Sequence, residues 1–158
     1  MALPPFAAID DRVSIAGQIA PADMTDLGAA GFTAVVNNRP DGEAMFGQPR
    51  TADLKLAAEQ AGMVFLDLPF AGPRATPDQV RAFAGLLAKN PGPVLVYCKS
   101  GMRSAFLWGA ASIAAGRSLQ EILAAAMRAG QNLEPIGDTM TALAKASQLY
   151  GVSVYETE

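Results

Sequence analysis

The segment Val94-Leu95-Val96-Tyr97-Cys98-Lys99-Ser100-Gly101-Met102-Arg103-Ser104 constrains this chain more than any other. An apolar run of strand type breaks into a short loop containing glycine. It then continues into Ala105-Phe106-Leu107-Trp108-Gly109-Ala110-Ala111, an Ala-rich helical pattern. A loop between a strand end and a helix N-terminus points several backbone N–H groups at one spot, and the helix dipole adds positive potential there. Such a spot binds an anion, or holds a thiol as thiolate. Cys98, the only cysteine of the chain, opens the loop, and Arg103, a planar cation with forked donors, closes it. Ser104 follows and is expected to donate its hydroxyl hydrogen to a thiolate. A nucleophile, an amide cradle and an arginine this close together suit attack on a tetrahedral oxyanion group.

The rest of the chain frames this segment. Strand patterns are expected over residues 12–16, 33–38, 63–68 and 93–97, the first at a sheet edge, with residues 1–11 a loose lead-in. Helices are expected over 21–30, 49–61 and 77–89, the last capped by Thr76 with Pro77 at its first position. The site helix should stop at Gly116. Ser118 and Glu121 form a capping box for a helix ending at Gly130, and a last helix spans 138–150. Strands alternating with helices predict an α/β fold, a mostly parallel sheet of about four or five strands flanked by helices. Residues 1–158 read as one domain with its core over about 12–150. Ligands of such sheets sit at the carboxyl ends of strands, where the Cys98 loop and the loop Asn37 to Glu43 both fall.

Composition removes several functions. Twelve basic and fifteen acidic residues give −3, so no basic face is expected for nucleic acid. The longest uncharged apolar stretch, Ala105 to Gly116, is too short for a membrane span of about 20 residues. The N-terminus lacks the basic and apolar regions of a signal peptide. A lone thiol fits a reducing cytoplasm. With no histidine, Ser-His-Asp and Cys-His chemistry and His-ligated metal sites are excluded, and no cofactor is expected.

The pattern Cys98-x4-Arg103-Ser104 after an apolar strand resembles two themes: the cysteine phosphatase signature, with five residues between Cys and Arg, and the rhodanese loop, one residue shorter. This chain has the shorter spacing. The helices that follow the site are similar to those of dual-specificity phosphatases. Ser14-Ile15-Ala16-Gly17-Gln18-Ile19, Val35-Val36-Asn37-Asn38-Arg39-Pro40-Asp41-Gly42-Glu43 and Gln48-Pro49 sharpen the likeness. With the Cys98 loop they resemble the phosphatase-like domain of beta-lactamase hydrolase-like proteins, over roughly residues 12–145. That resemblance implies a dual-specificity-phosphatase fold and a sulfurtransferase, sometimes beside a sulfur dioxygenase domain of metallo-beta-lactamase type.

The two chemistries need different residues. A phosphatase needs a general acid for the leaving oxygen. The resemblance places that acid near Gly72, yet residues 69–75 contain no carboxylate. Asp67 lies within a strand, which leaves Asp41 as the substitute. Sulfur transfer needs no such acid, because sulfite leaves thiosulfate as a stable anion. Removing one loop residue also shortens its reach by about 3.5 Å and tightens the cradle around a single sulfur. The expectation is therefore a thiosulfate-type sulfurtransferase. Cys98 is the nucleophile and Arg103 binds the donor's sulfonate. Lys99, Ser100, Gly101, Met102 and Ser104 line the cradle, Arg39 and Asp41 face the substrate, and a thiol or cyanide accepts the sulfur. The alternatives are a phosphatase acting through a Cys98 phosphocysteine and a non-catalytic module that binds an anion or persulfide. The plainer readings are a buried structural Cys98, an Arg39–Asp41 pair within a turn, and Asn37 and Asn38 serving the loop backbone.

Overall fold

Short runs rich in Val, Ile and Ala supply the strands of the computed structural model, which describes residues 2–148. The strands are β1 Ala7–Ala8, β2 Val13–Ala16, β3 Ala34–Asn37, β4 Val64–Asp67 and β5 Val94–Tyr97. They form one sheet in the order β1-β2-β5-β3-β4, antiparallel between β1 and β2 and parallel elsewhere. Two expectations change here. The lead-in contains β1, and because β1 covers β2, residues 12–16 are not an edge strand. The turn between them is made by the Asp10 carboxylate, which accepts from the backbone N–H groups of Arg12 and Val13.

The helices are α1 Met24–Ala29, α2 Thr51–Gln60, α3 Pro77–Lys89, α4 Met102–Ala114, α5 Leu119–Arg128 and α6 Gly137–Gln148. The pattern expected over 21–30 begins as a 3-10 turn, Pro21–Asp23, before α1. The helix expected over 77–89 forms as read. Thr76 accepts from the Gln79 N–H, while the Gln79 side chain reaches back to Thr76. Ser118 and Glu121 do the same for α5. The last two residues of the helix expected over 138–150 lie outside the described residues. No helix among the described residues is long and apolar enough to cross a membrane.

Side chains alternate across β5, and both of its faces are covered. Val94 and Val96 pack with Phe83, Phe106, Trp108, Ile122 and Met140, the side of α3 to α6. Leu95 and Tyr97 pack with Ile19, Met24, Leu27, Leu54 and Ala58, the side of α1 and α2. A parallel strand buried on both faces reads as a continuous apolar run, as β5 does. Each fully buried large aliphatic side chain stabilises the fold by roughly 1.5–3 kcal/mol. The register sets Tyr97 opposite both Ala16 and Asn37, and Asn37 opposite Asp67. The carboxyl ends of β2, β5, β3 and β4 therefore lie side by side, and their loops converge.

Candidate active site

The Cys98 loop is built mainly from backbone contacts. Cys98 N–H donates to Ala16 O at 3.3 Å, and Gln18 N–H donates to Lys99 O at 3.2 Å. Residue 17 must be small, because a Cβ there would lie 2.9 Å from Lys99 O. On the far side, Gln131 Nε2 donates to Ser100 O at 3.0 Å. Gly101 caps α4 with φ 97°, a left-handed conformation that favours glycine. Its N–H donates to Cys98 Sγ at 3.1 Å. Cys98 is 1% exposed. Its sulfur thus rests beneath the start of α4, against the Gly101 N–H.

Arg103 is held along one edge. Nη1 donates to Glu43 Oε2 at 2.7 Å and to Phe70 O at 3.1 Å, and Nη2 donates to Glu43 Oε1 at 2.9 Å. The nearby Cys98 adds, after Glu43, to the upward shift of the Arg103 pKa. Glu43 is clamped a second time, by Arg39 Nε at 2.9 Å, and Arg39 Nη1 donates to Gln18 Oε1 at 3.0 Å. The hydrogen bond from Arg103 is the main reason the Glu43 carboxyl is lowered to about 2, and Arg39 adds to it against a partial desolvation. In return, Glu43 raises the pKa of Arg103. Two cations and one carboxylate sharing hydrogen bonds fix the guanidinium plane, which a lone Arg on a flexible stem would not do.

The cavity above this floor has a volume of about 550 Å³. Arg39, Glu43 and Ala44 enter from the loop after β3, Gly72 and Pro73 from the loop after β4, and Lys99, Ser100, Met102 and Arg103 from the Cys98 loop and α4. Phe106 and Ile136 complete an apolar wall. Phe106 is thus both core and site. Lys99 and Met102 are exposed. Among the described residues no group of three or more Cys, Asp or Glu side chains is placed to hold a metal.

Of the expected site residues, Asp41, Ser104, Gly101 and the buried Cys98 do not line the cavity; Cys98 and Gly101 lie beneath its floor. The Asp41 carboxylate accepts from Thr51 N at 2.9 Å and Thr51 Oγ1 at 2.8 Å, so it serves the start of α2. Arg39 pairs with Glu43 rather than with Asp41. Ser104 donates its hydroxyl to Asn38 Oδ1 at 2.9 Å, not to the thiol. That contact is buried and ties α4 to the loop after β3, which outweighs a bond to sulfur. Asp67 accepts from Asn37 Nδ2 at 2.7 Å. Asn37 and Asn38 satisfy backbone, through Arg39 O, Arg39 N and Leu68 O. Glu43 is the functional residue the sequence reading missed. Its i,i+4 spacing from Arg39 was visible, but its bidentate bond to Arg103 spans sixty residues.

The model of the phosphatase-like domain of beta-lactamase hydrolase-like proteins matches residues 5–116. A beta-lactamase hydrolase-like protein of Agrobacterium fabrum is 43% identical over 100 residues, which is 63% of this chain and 23% of that protein. The chain spans about a quarter of the length of the curated relatives it matches. Among solved structures, a candidate phosphatase from Neisseria meningitidis superposes with a TM-score of 0.76 at 32% identity, covering 87% of this chain and 96% of that one. Tk-PTP in its active form superposes at 0.70 with 21% identity, covering 92% and 97%, and so shares the fold. The expected cysteine-phosphatase-like α/β fold is what these structures show.

Proposed function

The chain belongs to the family of phosphatase-like domains of beta-lactamase hydrolase-like proteins, and from that premise we propose that it is a cysteine-dependent hydrolase of small phosphate compounds. The observation that carries this reading is the Cys98 sulfur held 3.1 Å from the Gly101 amide, close to a guanidinium held by both Glu43 oxygens. The Cys98 thiolate attacks phosphorus. The bond from phosphorus to the leaving oxygen breaks, its electron pair departs with that oxygen, and a phosphocysteine remains. Loop amides and the Arg103 guanidinium stabilise the equatorial oxygens as charge builds on them. Water then attacks phosphorus, sulfur leaves as thiolate, and the water's proton passes to solvent.

A specific observation favours a second reading. The loop has four residues between Cys98 and Arg103, one fewer than the phosphatase signature. Its smaller ring suits a single sulfur, so transfer from thiosulfate through a Cys98 persulfide to a thiol or cyanide is the competing chemistry, with a sulfur dioxygenase as a partner. Intact mass of the reduced protein separates the two. A phosphoryl adduct trapped during turnover of an aryl phosphate, absent in Cys98→Ser, supports the hydrolase. A gain of one sulfur from thiosulfate, removed by cyanide, would replace it with sulfur transfer. Neither adduct, with anion binding retained, would leave a binding module.

A further inference from the structure

We propose that this site acts on substrates whose leaving group departs as a stable anion, without a proton from the protein: acyl phosphates, phosphoanhydrides and esters of acidic phenols. The inference rests on the Cys98 hydrolase reading and narrows it to a substrate class. Among the described residues lining the cavity, Glu43 is the one carboxylate. Both of its oxygens accept from Arg103, and one also accepts from Arg39. Protonating it would break charge-assisted bonds to two arginines and loosen the group that binds the oxyanion. It is built to stay ionised and to position Arg103, not to donate a proton.

Among the described residues no other carboxylate takes that part. Asp41 is turned to Thr51, and Asp67 to Asn37. The loop after β4, residues 69–75, reads Pro-Phe-Ala-Gly-Pro-Arg-Ala. Its Gly72 and Pro73 stand in the cavity wall and carry no ionisable group. Lys99 is exposed at the mouth, where water competes for its protons. A strongly basic alkoxide would therefore leave unaided, whereas a carboxylate or phosphate leaves readily. The apolar wall of Met102, Phe106 and Ile136 accommodates an organic body behind the phosphoryl group. Sulfite leaving thiosulfate meets the same requirement, so the second reading shares this property.

The test is kcat/KM for aryl phosphates whose phenols span pKa values from about 4 to 10, which reports the first cleavage step. The expected result is a fall of nearly tenfold for each unit of phenol pKa, with acetyl phosphate turned over well and alkyl phosphates hardly at all. Gly72→Asp and Pro73→Asp place a carboxyl in the wall. Around Gly72 the space for a Cβ is open, and its φ of +52° is one that Asp tolerates. Either folded variant should raise phenyl phosphate turnover relative to dinitrophenyl phosphate by about 10–100-fold and flatten the slope. An unchanged slope in both folded variants overturns the claim that a missing wall carboxylate sets the substrate class. A flat slope in the wild-type protein, with turnover dependent on Cys98, overturns the inference and leaves the hydrolase standing. No Cys98-dependent turnover of dinitrophenyl phosphate or acetyl phosphate overturns the hydrolase, and this inference with it.

Discussion

The Cys98 loop and the loop from Asn38 to Arg50 meet at one cavity but are held by different means. The first is tied by main-chain groups to Ala16 and Gln18 and by Gln131 to Ser100. The second is long, and side chains brace it: Gln48 bonds to Pro40 O and Ala44 N, Asp41 to Thr51, and Arg39 to Gln18 and Glu43. At its tip Met45 and Phe46 are 88% and 86% exposed. Backbone bonds place Cys98, the proposed nucleophile, for which small displacements matter. Side-chain bonds bring the charge that orients Arg103, where reach matters more than rigidity.

The comparison can be broken most severely at the contact between the two loops. Arg103→Lys keeps the charge but loses the fork that pairs with both Glu43 oxygens. Turnover of an activated phosphate should fall about 10²–10³-fold, mostly in kcat. A loss under threefold would mean that charge alone suffices. Within the backbone-built loop, Gly101→Ala forces a Cβ onto a φ of 97° and to within 2.8 Å of Gln131 Nε2. Denaturant unfolding should show a loss of about 1–3 kcal/mol, with anion affinity reduced as well.

Glu43→Gln tests the side-chain-built loop and should cost less, about 1–2 kcal/mol at neutral pH, because the carboxylate is partly exposed. The pH dependence has a definite sign. A carboxyl lowered from 4.5 to about 2 in the folded state contributes stability above the upper value and loses it as pH falls toward the lower one. The gap between wild type and Glu43→Gln should therefore narrow in acid over that window. A gap independent of pH would assign the loss to packing. The smallest effect is expected at the loop tip. Met45→Ser with Phe46→Ser should change stability by less than about 0.5 kcal/mol, since neither side chain is buried in the core. A larger change would show that the tip packs against something.

Much of this could be read from local pattern. The strand, loop and helix around Cys98 are contiguous, so Tyr97, Cys98, Gly101 and Arg103 had to share one sheet end wherever the sheet lay. Strands alternating with helices marked a parallel sheet, and Thr76 and Ser118 marked helix starts within a residue. These signals act over a few residues, through backbone geometry and capping bonds. Other features depend on which strand ends become neighbours. The order β2-β5-β3-β4 brings the loops after β3 and β4 against α4. Only then does Ser104 find Asn38, Arg103 find Glu43 and Phe70, and Asp41 fall to Thr51. The two-residue β1 likewise has no periodicity of its own, and pairing with β2 creates it. Cys98 and the loop around it are thus local properties of the chain, whereas Glu43, the partner that aims the arginine, is set by a contact between residues far apart in sequence.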